Sequence, residues 1–431
     1  MKIARYLPRF QRCEERIAEL ARREEWSSDQ MRQWQLEQLN SLWSHASKTI
    51  RYYRELAATK RLPDRFESLD HFIATMPVLK KEEVRNRPDD FRSPDATRGK
   101  WHYSSGSTGQ PMRFFRSNAT HQTMLCHQYR FRQMWGLDLF DRAAFLGAGT
   151  PHSAPMMQRL RQSVVDRLRN RVRLPVHQLS PAALRQQLQR INRFHPAYLY
   201  GYSGAIDLFA REAIEADFKI AGLKIVMLTS EPAFAHMIET IEKAFAAPTV
   251  IEYGSVECGV MAYEWPDRTL RVRSDRVLLE TLARGDNRCD LIVTILDNPD
   301  FPLFRYRIED VTDVPLAATD HPFPILKNIA GRNDDVLFAG DGSAIHPAEI
   351  DGVFESNRRL NVRRYRLHQH SDGSIVVQVE PMNKSTVDRL TIARSIEKVV
   401  PGRSVKVETV ESIAQTASGK HRLITSELSA R

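Results

Sequence analysis

The chain has 431 residues, 42% of them hydrophobic and 27% charged, and a net charge of +10 from 63 basic and 53 acidic residues. That length allows two or three domains with a large core, and the composition is that of a globular protein, not a disordered or fibrous one. No apolar run approaches the roughly 20 residues that span a bilayer. The basic start leads into no sustained apolar stretch or cleavage site, which predicts a protein without a secretory leader and a cytoplasmic location. Cys13, Cys126, Cys258 and Cys289 form no CxxC pair, which argues against a disulfide scaffold and fits a reducing compartment. A basic surface suits nucleotides, CoA, nucleic acid or acidic lipid. No zinc-finger spacing, RNP motif or helix-turn-helix pattern supports nucleic acid.

Residues 14–59 read as helical and highly charged, with Leu36, Leu39, Trp43, Ala46 and Ile50 on one apolar face that predicts core packing. Residues 62–94 read as loops around a short helix near 69–75. Residues 103–111, Tyr-Ser-Ser-Gly-Ser-Thr-Gly-Gln-Pro, then form a loop of hydroxyls and glycines. Gly106 and Gly109 permit backbone angles that other residues resist. Ser104, Ser105, Ser107 and Thr108 add hydroxyls beside free backbone N–H groups, a set that could cradle a polyphosphate. No Gly-Lys-Ser/Thr follows, so it is not a Walker A loop; on its own it also fits an ordinary polar surface turn.

A helix is predicted over 121–135 and a buried strand over 143–148, running into Gly147-Ala148-Gly149-Thr150-Pro151-His152. A strand that ends in a Gly-rich turn is where α/β sheets place ligands, so His152 could face a pocket or simply be solvated. Over 156–173, Met157, Leu160, Val164, Leu168 and Val172 share one helical face, and Arg159, Arg161, Arg167, Arg169, Arg171 and Arg173 face a single Asp166. The favoured expectation there is a solvated basic face over an ordinary core stripe. A membrane-surface helix or a site for CoA phosphates is the alternative.

From 181 the pattern alternates. Helices are predicted over 181–194, 206–216 and 235–245. Strands are predicted over 224–228, ending in Thr229-Ser230-Glu231-Pro232, and over 248–253, ending in Gly254-Ser255-Val256-Glu257. Such βα alternation implies parallel pairing with covered faces. Strands then follow over 277–282 and 290–296, with the mixed-charge stretch Arg305-Tyr306-Arg307-Ile308-Glu309-Asp310 after them. That stretch fits a surface network, or a site where Asp310 accepts from ribose hydroxyls and an arginine meets phosphate. After Gly331-Arg332-Asn333-Asp334-Asp335 the chain reads as a small α+β domain of about 100 residues. Its helices begin at 345 and 387, its strands lie at 363–368, 374–380 and 404–410, and it ends in a polar loop with Gly419-Lys420.

Taken in order, the hydroxyl–Gly loop, Tyr253-Gly254-Ser255-Val256-Glu257, Arg305–Asp310, Gly331–Asp335 and the late Lys420 resemble the ordered motifs of the adenylate-forming superfamily. The resemblance is closest to its phenylacetate–CoA ligase-like branch, which includes capsular polysaccharide biosynthesis proteins. Residues 50–54 (Ile-Arg-Tyr-Tyr-Arg) and 76–81 (Met-Pro-Val-Leu-Lys-Lys) resemble segments of that branch, and the likeness covers nearly the whole chain. It implies an α/β fold: a large N-terminal domain, 1–332, with mixed β-sheets flanked by helices, and a small mobile α+β C-terminal domain, 333–431.

The implied activity is ATP-dependent activation of a carboxylic acid, aryl or arylacetic, as acyl-AMP with release of pyrophosphate, then transfer to CoA as a thioester. An amine acceptor, making an amide ligase, or a non-catalytic scaffold of the same fold are the alternatives, and a homo-oligomer is compatible with either. By the resemblance, Ser104, Ser105, Gly106, Ser107, Thr108 and Gly109 hold the ATP phosphates. Tyr253 stacks on adenine with Gly254 and Ser255 beside it, and the backbone of Ser230 and Glu231 lines the other side. Glu257 binds Mg²⁺, a hard cation suited to carboxylate and phosphate oxygens. Asp310 holds the ribose, Arg332 the ribose or phosphate, Asp334 is the hinge, and Lys420 reaches the acid and the α-phosphate. His152 falls near the acyl pocket. Two departures stand out. Val256 occupies a position where many members carry Ser or Thr, and Cys258 stands without the further cysteine and histidine ligands some relatives carry, since Trp265 and Arg271 take such positions. No structural zinc is therefore expected, and a free buried role is expected for Cys258.

Overall fold

The computed structural model describes residues 8–428 apart from 97, 105–110, 148–155, 177–179, 285–287, 318, 333–334, 357–359, 383–385 and 414–421. The chain divides into two compact units, Met1–Leu139 with Glu252–Ile329, and Phe140–Ile251 with Ala330–Arg431.

In the first unit the expected N-terminal helical stretch is three helices, Pro8–Arg23, Ser28–Thr49 and Arg51–Lys60. The first break is a capping box: Ser27 accepts from the Gln30 N–H and the Gln30 side chain accepts from the Ser27 N–H. The second break is Ile50, which is extended. The predicted apolar face is core. Leu39, Trp43, Ala46 and Ile50 are buried in one cluster, with Leu36 packed against it. Trp43 lies edge-on to Phe304 at 5.6 Å and to Tyr53 at 6.2 Å. Its indole N–H donates to the Pro63 carbonyl at 2.8 Å, so the burial leaves no polar atom stranded.

A hairpin not anticipated from the sequence, Gly99–Tyr103 against Arg113–Ser117, carries the hydroxyl loop at its tip. Strands Val277–Ala283, Cys289–Ile295 and Tyr306–Thr312 pair antiparallel in sequence order. Gly259–Glu264 pairs antiparallel with residues 252–255 and with Leu270–Val272. Cys13 and Cys126, 113 residues apart, meet with their sulfurs 3.1 Å apart where helix Pro8–Arg23 lies on helix Asn118–Met134. None of the four cysteines forms a disulfide, and all four are buried.

In the second unit the strands Arg171–Pro175, Ala143–Gly147, Tyr198–Tyr202 and Ile225–Thr229 pair in parallel in that spatial order. Their inner strands are apolar and buried along nearly their whole length, as a sheet covered on both faces requires. Helices Pro181–Phe194, Ser203–Glu215 and Ala235–Phe245 pack on it. Residues beyond 336 form a separate core around Leu337, Ile350, Leu367, Val377, Ile392 and Ile396. Their sheet runs Val405–Thr409, Ile375–Pro381, Val362–Gln369, Ile424–Ser426, with helices Pro347–Ser356 and Arg389–Val399. The two parts of this unit touch through Asp351. It accepts from the Tyr365 hydroxyl at 2.6 Å and pairs with His236 of helix Ala235–Phe245 at 3.2 Å. Burial opposes the charge on His236, but Asp351 outweighs it and holds the imidazole above its usual range.

Candidate functional site

Two stretches that resemblance assigns to nucleotide binding come together in the first unit. Tyr253 and Glu257 leave the end of strand Thr249–Ser255; Asp310 and Tyr306 belong to strand Tyr306–Thr312. The Tyr253 hydroxyl donates to Asp310 Oδ2 at 2.8 Å, and the Tyr306 hydroxyl donates to Glu257 Oε1 at 3.2 Å. Local backbone geometry aims these side chains. Asp290 and Ile292 pair with Val311 and Arg307, so that the strand Tyr306–Thr312 carries extra residues between the two pairs, a bulge. The bulge places Glu309 at φ 68°, a strained angle for a side chain with a Cβ. Glu309 is held there by Lys81, itself nearly buried. Asp310 is buried beside it. Gly254 sits at a second register slip, where a Cβ would lie 2.4 Å from the Gly259 carbonyl oxygen, so no other residue fits without moving the strand.

Glu257 is buried, and Arg116 lies close enough to feel its charge. Burial first, and repulsion from Arg276 second, pull the Arg116 guanidinium down to about 10. Arg116 donates to the Val256 carbonyl, fixing the exposed Val256 turn just before Glu257. The Tyr306 phenol is pushed far up by burial and by Glu257, so it stays a donor. Glu257 thus keeps one oxygen oriented by Tyr306 and has a second oxygen for another partner. One oriented carboxylate completed by phosphate and water oxygens is the donor set Mg²⁺ takes, so the residues present fit that ion. Ser255 accepts from the Cys258 N–H at 3.1 Å, which commits its hydroxyl oxygen to the turn. Burial raises the Cys258 thiol far above its ordinary range, with Glu257 adding to it; a thiol held neutral in this way is a poor metal ligand.

Of the hydroxyl loop, Ser104 is described. Its N–H donates to the Met112 carbonyl at 2.8 Å and its hydroxyl oxygen accepts from the Met112 N–H at 3.0 Å. Ser104 therefore closes the neck of the loop. Ser105, Gly106, Ser107, Thr108 and Gly109 lie outside the described residues, as do His152, Asp334 and Lys420.

In the second unit, Ser230 follows strand Ile225–Thr229, exposed and at φ 70°. The Glu231 carboxylate accepts from the Gly204 N–H at 2.9 Å, and the Glu231 carbonyl accepts from Ser203 Oγ at 3.1 Å. Glu231 thus caps helix Ser203–Glu215, a role the sequence reading did not anticipate. Arg332 ends the strand Ile329–Arg332. Tyr306 and Arg116 were missed as functional residues, although Tyr306 lies inside a motif that was singled out. Their partners are 49 and 140 positions away, and no local pattern encodes them.

The 156–173 stretch differs from the expectation of a core stripe. The helix is Met156–Leu168, and Arg171–Pro175 is a strand. Arg171 and Arg173 both pair with Asp166, Arg173 at 2.9 Å. Met156, Met157, Leu160, Val164 and Leu168 are exposed, at 74, 74, 52, 57 and 67%. Val172 alone of the predicted stripe packs on the core.

Among the described residues, no helix is long and apolar enough to cross a membrane. No protein-family model matches the chain. Phenylacetate–coenzyme A ligase of Pseudomonas putida is 26% identical over 393 residues, 82% of each chain. That of Aromatoleum evansii is 25% identical over 432 residues, 91% of this chain and 92% of the relative. Protein CapK of Staphylococcus aureus is 21% identical over 319 residues, 70% of this chain and 68% of CapK. Among solved structures, 2-hydroxyisobutyryl-CoA ligase in complex with R3-HIB-AMP superposes with a TM-score of 0.76 at 19% identity, over 94% of this chain and 92% of that one. By sequence the chain is similar to the phenylacetate–coenzyme A ligases and to CapK, and its fold is that of 2-hydroxyisobutyryl-CoA ligase.

Proposed function

We propose that the protein activates a carboxylic acid, aryl or arylacetic, as acyl-AMP with release of pyrophosphate and transfers the acyl group to CoA. The observation that carries this reading is the pairing of Tyr253 with Asp310 and of Glu257 with Tyr306. A ring beside a buried carboxylate suits adenine and its ribose hydroxyls, and an oriented glutamate suits a phosphate-bound Mg²⁺. The hydroxyl loop, held at its neck by Ser104, takes the β- and γ-phosphates. Residues 333–431 act as the moving small domain, with Asp334 as its hinge and Lys420 as its cation, and His152 faces the acyl group. ATP–pyrophosphate exchange tests the assignment. Acid-dependent exchange is expected, and Tyr306→Phe, which frees Glu257, should slow it by about tenfold to a hundredfold in a folded protein. Unchanged exchange in that variant would remove Tyr306 from the positioning of Glu257.

We also propose that helix Met156–Leu168 rests on an anionic membrane surface. Its five exposed apolar side chains form one stripe, with the exposed Arg161 at its edge and the exposed Arg167 beside Met156 and Leu160. Arginines so placed bury their stems and keep their heads at the lipid phosphates. A second copy of the same basic helix would instead oppose like charges. Sedimentation with vesicles containing phosphatidylserine should pull the protein down at low salt, and Leu160→Asp with Val164→Asp should abolish it. No binding to anionic vesicles, or dimerisation lost in the same variant, contradicts the proposal.

A further inference from the structure

Outside the residues assigned to nucleotide and acid, the small sheet of the second unit brings three metal-ligating side chains together. His368 lies near the end of strand Val362–Gln369 and His370 follows two residues later, while Glu427 follows strand Ile424–Ser426. The parallel pairing sets His368 opposite Thr425 and Gln369 opposite Ser426, and the Glu427 N–H continues the ladder to the Gln369 carbonyl at 2.9 Å. Glu427 Oε1 lies 3.2 Å from His368 Nε2 and 3.8 Å from His370 Nδ1, and one ligand atom from each of the three lies within 4.8 Å of the others.

Those spacings match a metal centre. Ligand atoms bound tetrahedrally at about 2.1 Å from an ion lie roughly 3.4 Å from one another. His368 and Glu427 each have an outer partner that orients them, as metal ligands commonly do. Thr425 Oγ1 donates to the Leu367 carbonyl at 3.4 Å and lies 2.9 Å from His368 Nδ1. Nδ1 is thus turned to a hydroxyl partner within the sheet. His368 Nε2 faces Glu427 Oε1 at 3.2 Å, where the two either share a proton or hold one ion between them. The second Glu427 oxygen accepts from the Ser371 N–H at 2.8 Å, leaving Oε1 to point at the imidazoles. The three side chains are 35, 42 and 46% exposed, so an ion reaches them from solvent.

We infer that His368, His370 and Glu427 form a binding site for a divalent transition-metal ion of the Zn²⁺ class. Two imidazole nitrogens and one carboxylate oxygen select Zn²⁺, Co²⁺, Ni²⁺ or Cu²⁺ over Mg²⁺ and Ca²⁺, which take oxygen ligands. The fourth position belongs to water. The ion clips the last strand of the sheet to its neighbour, and so ties down the chain that follows Lys420 in sequence. This site is independent of the acid-activating reading.

The test is titration of the untagged, metal-stripped full chain with Co²⁺, read by its visible d–d absorption, and with Zn²⁺ in competition against a chromophoric chelator. One equivalent of Co²⁺ in a tetrahedral spectrum is expected, displaced by Zn²⁺. His370→Ala and Glu427→Gln, both at exposed positions, should each weaken binding by about tenfold or more. Mg²⁺ should not compete. Equal binding by wild type and both variants would place the ion elsewhere, for example on the cysteines, and no binding at all would equally overturn the site.

Discussion

Lys420→Ala should form acyl-adenylate about a hundred- to a thousandfold more slowly than the wild type while binding ATP almost unchanged. Negative charge builds on the α-phosphate as the carboxylate attacks, and a single lysine brought there acts only at that moment. Removing one such preorganised charge costs on the order of 10²–10³ in rate. A point charge on a flexible stem suits a group that arrives and leaves. The role of Lys420 rests on its position in the ordered motifs, so single-turnover adenylation, with nucleotide binding measured alongside, is the check. Adenylation at the wild-type rate would remove Lys420 from the chemistry.

Arg273→Ala should cost about 3–5 kcal/mol of stability, the usual consequence of stranding a buried ion-pair partner. Arg273 is fully buried. Its guanidinium makes two bonds to Asp275, at 3.0 and 2.6 Å, and one to Glu24 at 2.9 Å. Burial alone would lower its affinity for a proton, but Asp275 and Glu24 together hold it charged and push it up. The network ties helix Pro8–Arg23, through Glu24 just beyond its end, to the turn before strand Val277–Ala283. Arg130 joins it through Glu24. Urea unfolding of the variant would show the loss. Replacing Arg273 and Asp275 together by Met and Leu should recover part of it, because both charges then leave the interior. A loss under about 1 kcal/mol in the single variant would contradict the account.

Where local pattern decides structure, the sequence was sufficient. Helices Leu69–Thr75, Pro181–Phe194 and Ala235–Phe245 lie where their apolar spacing placed them. The first two begin on Ser68 and Ser180, each accepting from a backbone N–H. Strand Tyr198–Tyr202, which carries Gly201, was not among the predicted strands. That glycine is there for packing, since a Cβ would lie 2.1 Å from the Leu146 carbonyl oxygen of the paired strand. Strand Arg171–Pro175 was hidden because its arginines continued the basic pattern of the preceding helix, and Asp166 folds back to pair with them. The exposed stripe of helix Met156–Leu168 was misread for a related reason: periodicity shows that a face is apolar, not what covers it.

The candidate site was legible in its motifs and not in its wiring. Tyr253, Glu257 and Asp310 stood out from motif order. That Tyr306 holds Glu257, that a bulge at Glu309 aims Asp310, and that Glu231 caps a helix all depend on pairings dozens of residues apart. The meeting of Cys13 with Cys126, and of His368 and His370 with Glu427, was invisible for the same reason.

Hydroxylamine trapping of activated acyl groups, with ATP and Mg²⁺, across a panel of aryl, arylacetic and short hydroxy acids, with and without CoA, tests the central claim most directly. The account predicts acid-dependent hydroxamate and pyrophosphate without CoA, and a CoA thioester when CoA is present. Hydroxamate with no thioester would move the acceptor from thiol to amine. ATP binding with neither hydroxamate nor pyrophosphate from any acid would contradict the account and leave a nucleotide-binding scaffold.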